Sequence, residues 1–119
     1  MENKLEATKH DQGKPDYTLI SKAFSDLLAE VLGFGKKKYG RNNYRQGFHY
    51  TRVLASLGRH LKALEAGEDY DPESGIHHLG HIAANVQMMV DNLVQGTLED
   101  DRWIIKDNQF NITNPKLNG

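Results

Sequence analysis

Between Ile76 and Leu93 a broad apolar face recurs at positions 76, 79, 82, 83, 86, 89, 90 and 93. Steps of three and four are the period of an α-helix, and a strand would scatter the same side chains over both faces. Ser74 stands ahead as an N-cap and Gly96 follows as a stop, so the spacing predicts a helix from Ser74 to Gln95. Its apolar face covers almost half the circumference, more than a single neighbouring helix can cover. At about 100° per residue, His78, His81 and Asn85 form a polar stripe along the edge of that face. His77 lies further round, toward solvent. A phase error of one residue would exchange the roles of His77 and His78.

Two more helices are expected. One runs from about Thr18 to Leu32, with Gly33 and Gly35 ending it. The other runs from Thr51 to Ala66 on a seam of Leu54, Leu57, Leu61 and Leu64, with Gly67 just past its end. His60 sits beside that seam and Arg59 is more exposed. Residues 1–17 read as an extended lead-in, 18–95 as the helical domain, and 96–119 as an irregular tail with a short turn or strand at 103–105. The fold class is therefore all-α, a small bundle of three main helices. Apolar residues are only 38% of the chain, so dimerisation or higher self-association is expected to complete the core.

The net charge of −1 hides a segregation. From Lys36 to Lys62 there are eight cations and no acid: Lys36, Lys37, Lys38, Arg41, Arg45, Arg52, Arg59 and Lys62. From Glu65 to Glu73 there are five acids and no base: Glu65, Glu68, Asp69, Asp71 and Glu73. Charge runs are often only solvated faces. Here histidines flank the acidic run, at His60 on one side and at His77, His78 and His81 on the other. Cations hold phosphate oxygens, and acids with histidines hold a divalent ion.

Other chemistries are excluded or poorly served. The chain has no cysteine, so thiolate metal sites, disulfides and cysteine nucleophiles are out. There is no G-x-S-x-G elbow, and Asp11-Gln-Gly-Lys-Pro is too short for a P-loop. DNA is not an expected partner, because the acidic run would repel a phosphate backbone. No apolar run is long enough to span a membrane. The first fourteen residues are polar and do not read as a signal peptide, so a cytoplasmic protein is expected.

An ordered set of motifs runs along the chain. Lys9, Asp11, Gly13, Lys14 and Pro15 come first, then Gly35 and Lys38-Tyr39-Gly40 with Asn43. Arg59-His60-Leu61, Gly67-Glu68, Asp71, Glu73-Ser74-Gly75, His78-Leu79 and His81 with Asn85 follow. Over residues 9 to 93 this series resembles the dATP/dGTP diphosphohydrolase N-terminal-type domain of phages. Such domains look related to the MazG-like all-α nucleotide pyrophosphohydrolases. The MazG-like pattern has E-x-x-E and a later E-x-x-D. Glu65-Ala-Gly-Glu68 fits the first half, but His78-Leu-Gly-His81 stands where the second would be, and Tyr44 stands where the family usually has Trp.

The resemblance implies metal-dependent hydrolysis of a purine deoxynucleoside triphosphate to the monophosphate and pyrophosphate. It makes Glu68 and Glu73 the candidate catalytic carboxylates, and His60, Asp71, His78 and His81 the candidate metal ligands. Mg²⁺ or Mn²⁺ would be the ion, with Co²⁺, Fe²⁺ or Zn²⁺ as further candidates because histidines are among the ligands. Lys14, Lys38, Arg41 and Arg59 would neutralise phosphate charge. Tyr39 or Tyr44 would stack on the base, and Asn43 or Asn85 would read its edge. The absence of a helical E-x-x-D leaves an alternative open: a non-catalytic nucleotide-binding or sequestering protein of phage origin.

Overall fold

A computed structural model describes residues 7–104. Three helices dominate: α1 (Lys22–Tyr39), α2 (Tyr50–Glu65) and α3 (His78–Gln95). Short 3₁₀ turns occupy Tyr17–Leu19 and Asn43–Gln46, and two strands, β1 (Phe48–His49) and β2 (Leu98–Glu99), pair in parallel. The helix α3 lies between the other two and packs against both.

The helix ends differ from those read in the sequence, for local reasons. Ser21 caps α1 through a hydrogen bond from Phe24 N–H at 3.1 Å. The helix then runs through Gly33 and Gly35 and stops at Gly40, whose φ of 93° suits glycine. Two helical glycines cost about 1 kcal/mol each, and Lys36, Lys37 and Lys38 offset part of this by facing the negative end of the helix dipole. The cap of α3 stands three residues later than Ser74. Gly75 at φ 74° breaks any helix from Ser74, and His77 is the cap instead, its Nδ1 accepting from Leu79 N–H at 3.1 Å. The segment after α3 is not wholly irregular. Residues 98 and 99 pair with β1, and the Asp101 carboxylate accepts from the N–H and the hydroxyl of Thr51 at the start of α2. Trp103 and Ile104 form no strand, and Ile105 lies outside the described residues.

Among the described residues the buried apolar side chains are Val31 of α1, Val53 of α2 and Ala84 of α3. α1 approaches α3 closely at Gly80. A Cβ there would meet Val31 Cγ2 at 2.8 Å and Leu27 Cγ at 2.9 Å. On α2 the row Val53, Ser56 and His60 faces α3, while Leu54 and Leu61 of the leucine seam are 39% and 44% exposed. The polar stripe of α3 turns inward: His78, Asn85 and Asn92 are 3%, 7% and 0% exposed. Its apolar centre turns outward, with Leu79, Val86, Val90 and Leu93 at 53%, 47%, 51% and 61%.

Candidate functional site

The inward polar face of α3 makes the site. α2 ends in a tight cap: Glu68 N–H bonds Ala63 C=O at 2.9 Å and Gly67 N–H bonds Leu64 C=O at 3.0 Å, with Gly67 at φ 90°. That turn directs the chain back across the start of α3. Tyr70 and His77 form an antiparallel bridge, and His78 N–H bonds Asp69 C=O at 2.8 Å. The acidic loop is thereby fixed against the histidines.

His78 is buried and is gripped at both ring nitrogens. Its Nε2 lies 2.8 Å from Glu68 Oε1, and its Nδ1 lies 2.7 Å from His60 Nδ1. A carboxylate only accepts, so His78 Nε2 carries the proton that faces Glu68, while Nδ1 faces His60. One ligand atom each from His60, Asp71 and His78 lies within 4.8 Å of the others. The His81 ring stacks on His60 at 4.6 Å and 5°. Its Nε2 is 2.6 Å from Ser74 Oγ and 3.8 Å from Asp71 Oδ2. The His77–His78 ambiguity resolves with His78 inside; His77 caps the helix and lies edge-on to Tyr70.

Burial pushes the His60 and His81 pKa values below 6.5. For His60 the neighbouring His81 and His78 add to this, whereas for His81 the Asp71 charge opposes it. Burial works against ionisation of Asp71, but hydrogen bonds from Ser74 and the charges of His81 and His60 outweigh it and hold the carboxyl below 3.8. Neutral rings beside an ionised carboxylate are the protonation states a divalent cation needs.

The remaining sequence candidates divide. Lys38 pairs with Glu73 and lies over the Phe34 ring, which is edge-on to His81, so this ion pair stands at the rim of the cluster. Arg59 is exposed on α2 beside His60. Tyr39 is 61% exposed. Asn85 braces the two helices: its amide donates to Ser56 Oγ at 3.3 Å and to His81 C=O at 3.0 Å. Tyr44 donates its hydroxyl to Asp91 at 2.7 Å, ten residues and so about 15 Å along α3 from His81. Lys14, Arg41 and Asn43 are exposed, and no hydrogen bond or ion pair among the described residues joins them to the histidines. A shallow cleft of about 490 Å³ beside the strand pair, lined by residues 46–49 and 96–99, contains none of these groups.

Sequence reasoning missed two features. Ser74 reads as a helix cap but sits between Asp71 and His81. Asn92 carries no motif, yet it is the most buried polar side chain, bonded to the C=O of Tyr44 and Met88 and to the Thr97 hydroxyl.

A family model described as dATP/dGTP diphosphohydrolase, N-terminal, matches residues 4–102. The match covers most of the chain and the whole histidine cluster. The chain belongs to this family. A curated relative from Salmonella phage PMBT28, named dATP/dGTP diphosphohydrolase, is 39% identical over 98 residues, which is 80% of this chain. The chain spans about a third of that relative's length, 33%. No solved structure matches.

Proposed function

We propose that this domain holds a divalent cation between His60, Asp71 and His78 and hydrolyses a purine deoxynucleoside triphosphate to the monophosphate and pyrophosphate. The observation that carries the reading is the pair of imidazole Nδ1 atoms at 2.7 Å beside a half-buried carboxylate. Two ring nitrogens that close share a proton, here His60 Nδ1–H donating to the His78 Nδ1 lone pair, and a cation that displaces that proton would find both lone pairs beside Asp71. The family, and the printed name of the phage relative, support the substrate class.

The donor set of two nitrogens and a carboxylate favours Mn²⁺, Fe²⁺, Co²⁺ or Zn²⁺ over Mg²⁺. When bound, such an ion polarises a phosphoryl oxygen and lowers the pKa of water. The chain's own groups do the rest. Glu68 acts through His78, keeping Nδ1 turned to the cluster. Lys38 and Arg59 neutralise polyphosphate charge at the rim. A phosphate that draws Lys38 away frees Glu73, which then accepts a proton from the attacking water. Lys14, Tyr39, Arg41 and Asn43 stay with the nucleotide on the sequence alone, whereas Tyr44 and Asn85 serve this reading as scaffold. His81 flanks the cation site, its Nε2 engaged by Ser74.

The test is incubation with each of the four dNTPs and Mg²⁺, Mn²⁺ or Co²⁺, with products resolved by chromatography. Pyrophosphate and a purine monophosphate are expected, and no product with any pair would refute the proposal. The absence of an E-x-x-D on α3 favours the alternative of a nucleotide-sequestering module. That alternative predicts nucleotide recovered intact and affinity indifferent to chelator.

The outward apolar face of α3 supports self-association as a second part of this reading. Leu79, Ala83, Val86, Val90 and Leu93 alternate steps of four and three, the seam of paired helices, and no charged residue lies among them. Among the described residues no helix is long and apolar enough to cross a membrane. The dNTP substrate class supports a cytoplasmic setting for this reading.

A further inference from the structure

Ser74 touches both halves of the cluster. Its backbone N–H donates to Asp71 Oδ2 at 2.9 Å, and its Oγ lies 2.6 Å from His81 Nε2. The same oxygen accepts from Ile76 N–H at 3.1 Å. A hydroxyl has one proton and two lone pairs, so after Ile76 it keeps its proton and one lone pair, either of which can meet the His81 ring. The nearest acid to that ring nitrogen is Asp71, at 3.8 Å, just beyond a hydrogen bond. The His81 ring in turn stacks flat on His60.

In the tautomer whose Nε2 carries the proton, loss of the hydroxyl leaves that N–H one acceptor within a small rotation: the Asp71 carboxylate. Closing that pair would draw Asp71 away from His60 and His78 and would tilt the ring stacked on His60. We propose that Ser74 is a positioning residue of the cation site, whose hydroxyl holds His81 off Asp71 so that the Asp71 carboxylate faces His60 and His78. The inference rests on the cation reading above. It adds a residue that supplies no ligand and acts through its neighbours, as outer partners of metal ligands do.

The test compares Ser74→Ala with Ser74→Thr, which keeps the hydroxyl. Mn²⁺ affinity is measured by calorimetry, and circular dichroism checks that each variant is folded. Ser74→Ala is expected to weaken Mn²⁺ about 10-fold, and Ser74→Thr to stay within about 3-fold of wild type. In turnover, the kcat of Ser74→Ala should recover at saturating Mn²⁺ while KM for the nucleotide stays unchanged. A residue serving only the turn would give neither the rescue by threonine nor the recovery with metal. If Ser74→Ala does not fold, Ser74→Cys replaces it, similar in size and a poor hydrogen-bonding group. Wild-type affinity in the variant lacking the hydroxyl, or equal losses in the alanine and threonine variants, overturns the role of Ser74 and leaves the cation reading standing. A wild-type chain that binds no Mn²⁺ overturns both.

Discussion

Asn92 shows how much one polar side chain can organise. It is fully buried, and its amide satisfies the C=O of Tyr44 and of Met88 while its oxygen accepts from the Thr97 hydroxyl. Asn92→Ala should therefore cost about 1–3 kcal/mol in urea unfolding, with Mn²⁺ affinity unchanged. The histidines set a pH dependence. His60 and His81 have folded pKa values below 6.5, so the unfolded chain binds protons first as pH falls. Their contribution is fully present above pH 6.5 and is lost as pH drops through the folded values. Asp71 and Asp101 contribute above 3.8 and lose their part below it. A melting-temperature series in metal-free buffer should fall first below pH 6.5 and again below 3.8. A flat curve between pH 7 and 5 would contradict the neutral, buried rings. The His78, His81 and Asn85 stripe was legible because a fixed angle per residue decides which side chains share a helix face. The grip of Ser74 on His81 was not, because it depends on a loop whose path no periodicity describes.

At the level of elements, the glycines carry opposite lessons. Gly33 and Gly35 look like stops, yet α1 passes through both, because helical propensity is outweighed once a helix is packed and its end suits its charges. Gly80 looks unremarkable in sequence but marks the point where α1 crosses α3. Gly80→Ala gains helix propensity but drives a methyl into Val31 and Leu27, and should destabilise by about 1–2 kcal/mol in thermal or urea unfolding. The apolar period of α3 correctly announced a helix, whereas which side faced its neighbours could not be read. Hydrophobicity alone would have turned the apolar face inward, but α1 and α2 meet α3 through glycine, alanine and a satisfied polar row. The outward seam predicts self-association, and Val90→Asp should shift the chain toward monomer in sedimentation without loss of helix by circular dichroism. A wild-type chain that sediments as a monomer at high micromolar concentration would contradict it.

For the whole molecule, the segregation of charge along the chain becomes a spatial arrangement. The acidic loop folds onto the histidines of α2 and α3, and Lys38, from the end of α1, reaches the same rim. Three distant stretches thus converge on one point, with the strand pair and the Asp101 cap tying the segment after α3 back to α2. The family resemblance named these stretches in order along the chain but not how they meet in space. The cationic stretch did not converge as a block, because Arg45 pairs with Asp91 on the far part of α3 instead. Calorimetric titration of Mn²⁺ into the metal-free protein reads the cation site itself. The wild type should take up one Mn²⁺ per chain, with affinity reduced at least about 10-fold in Asp71→Asn and in His78→Gln. No binding to the wild type, or equal binding to all three, would contradict it.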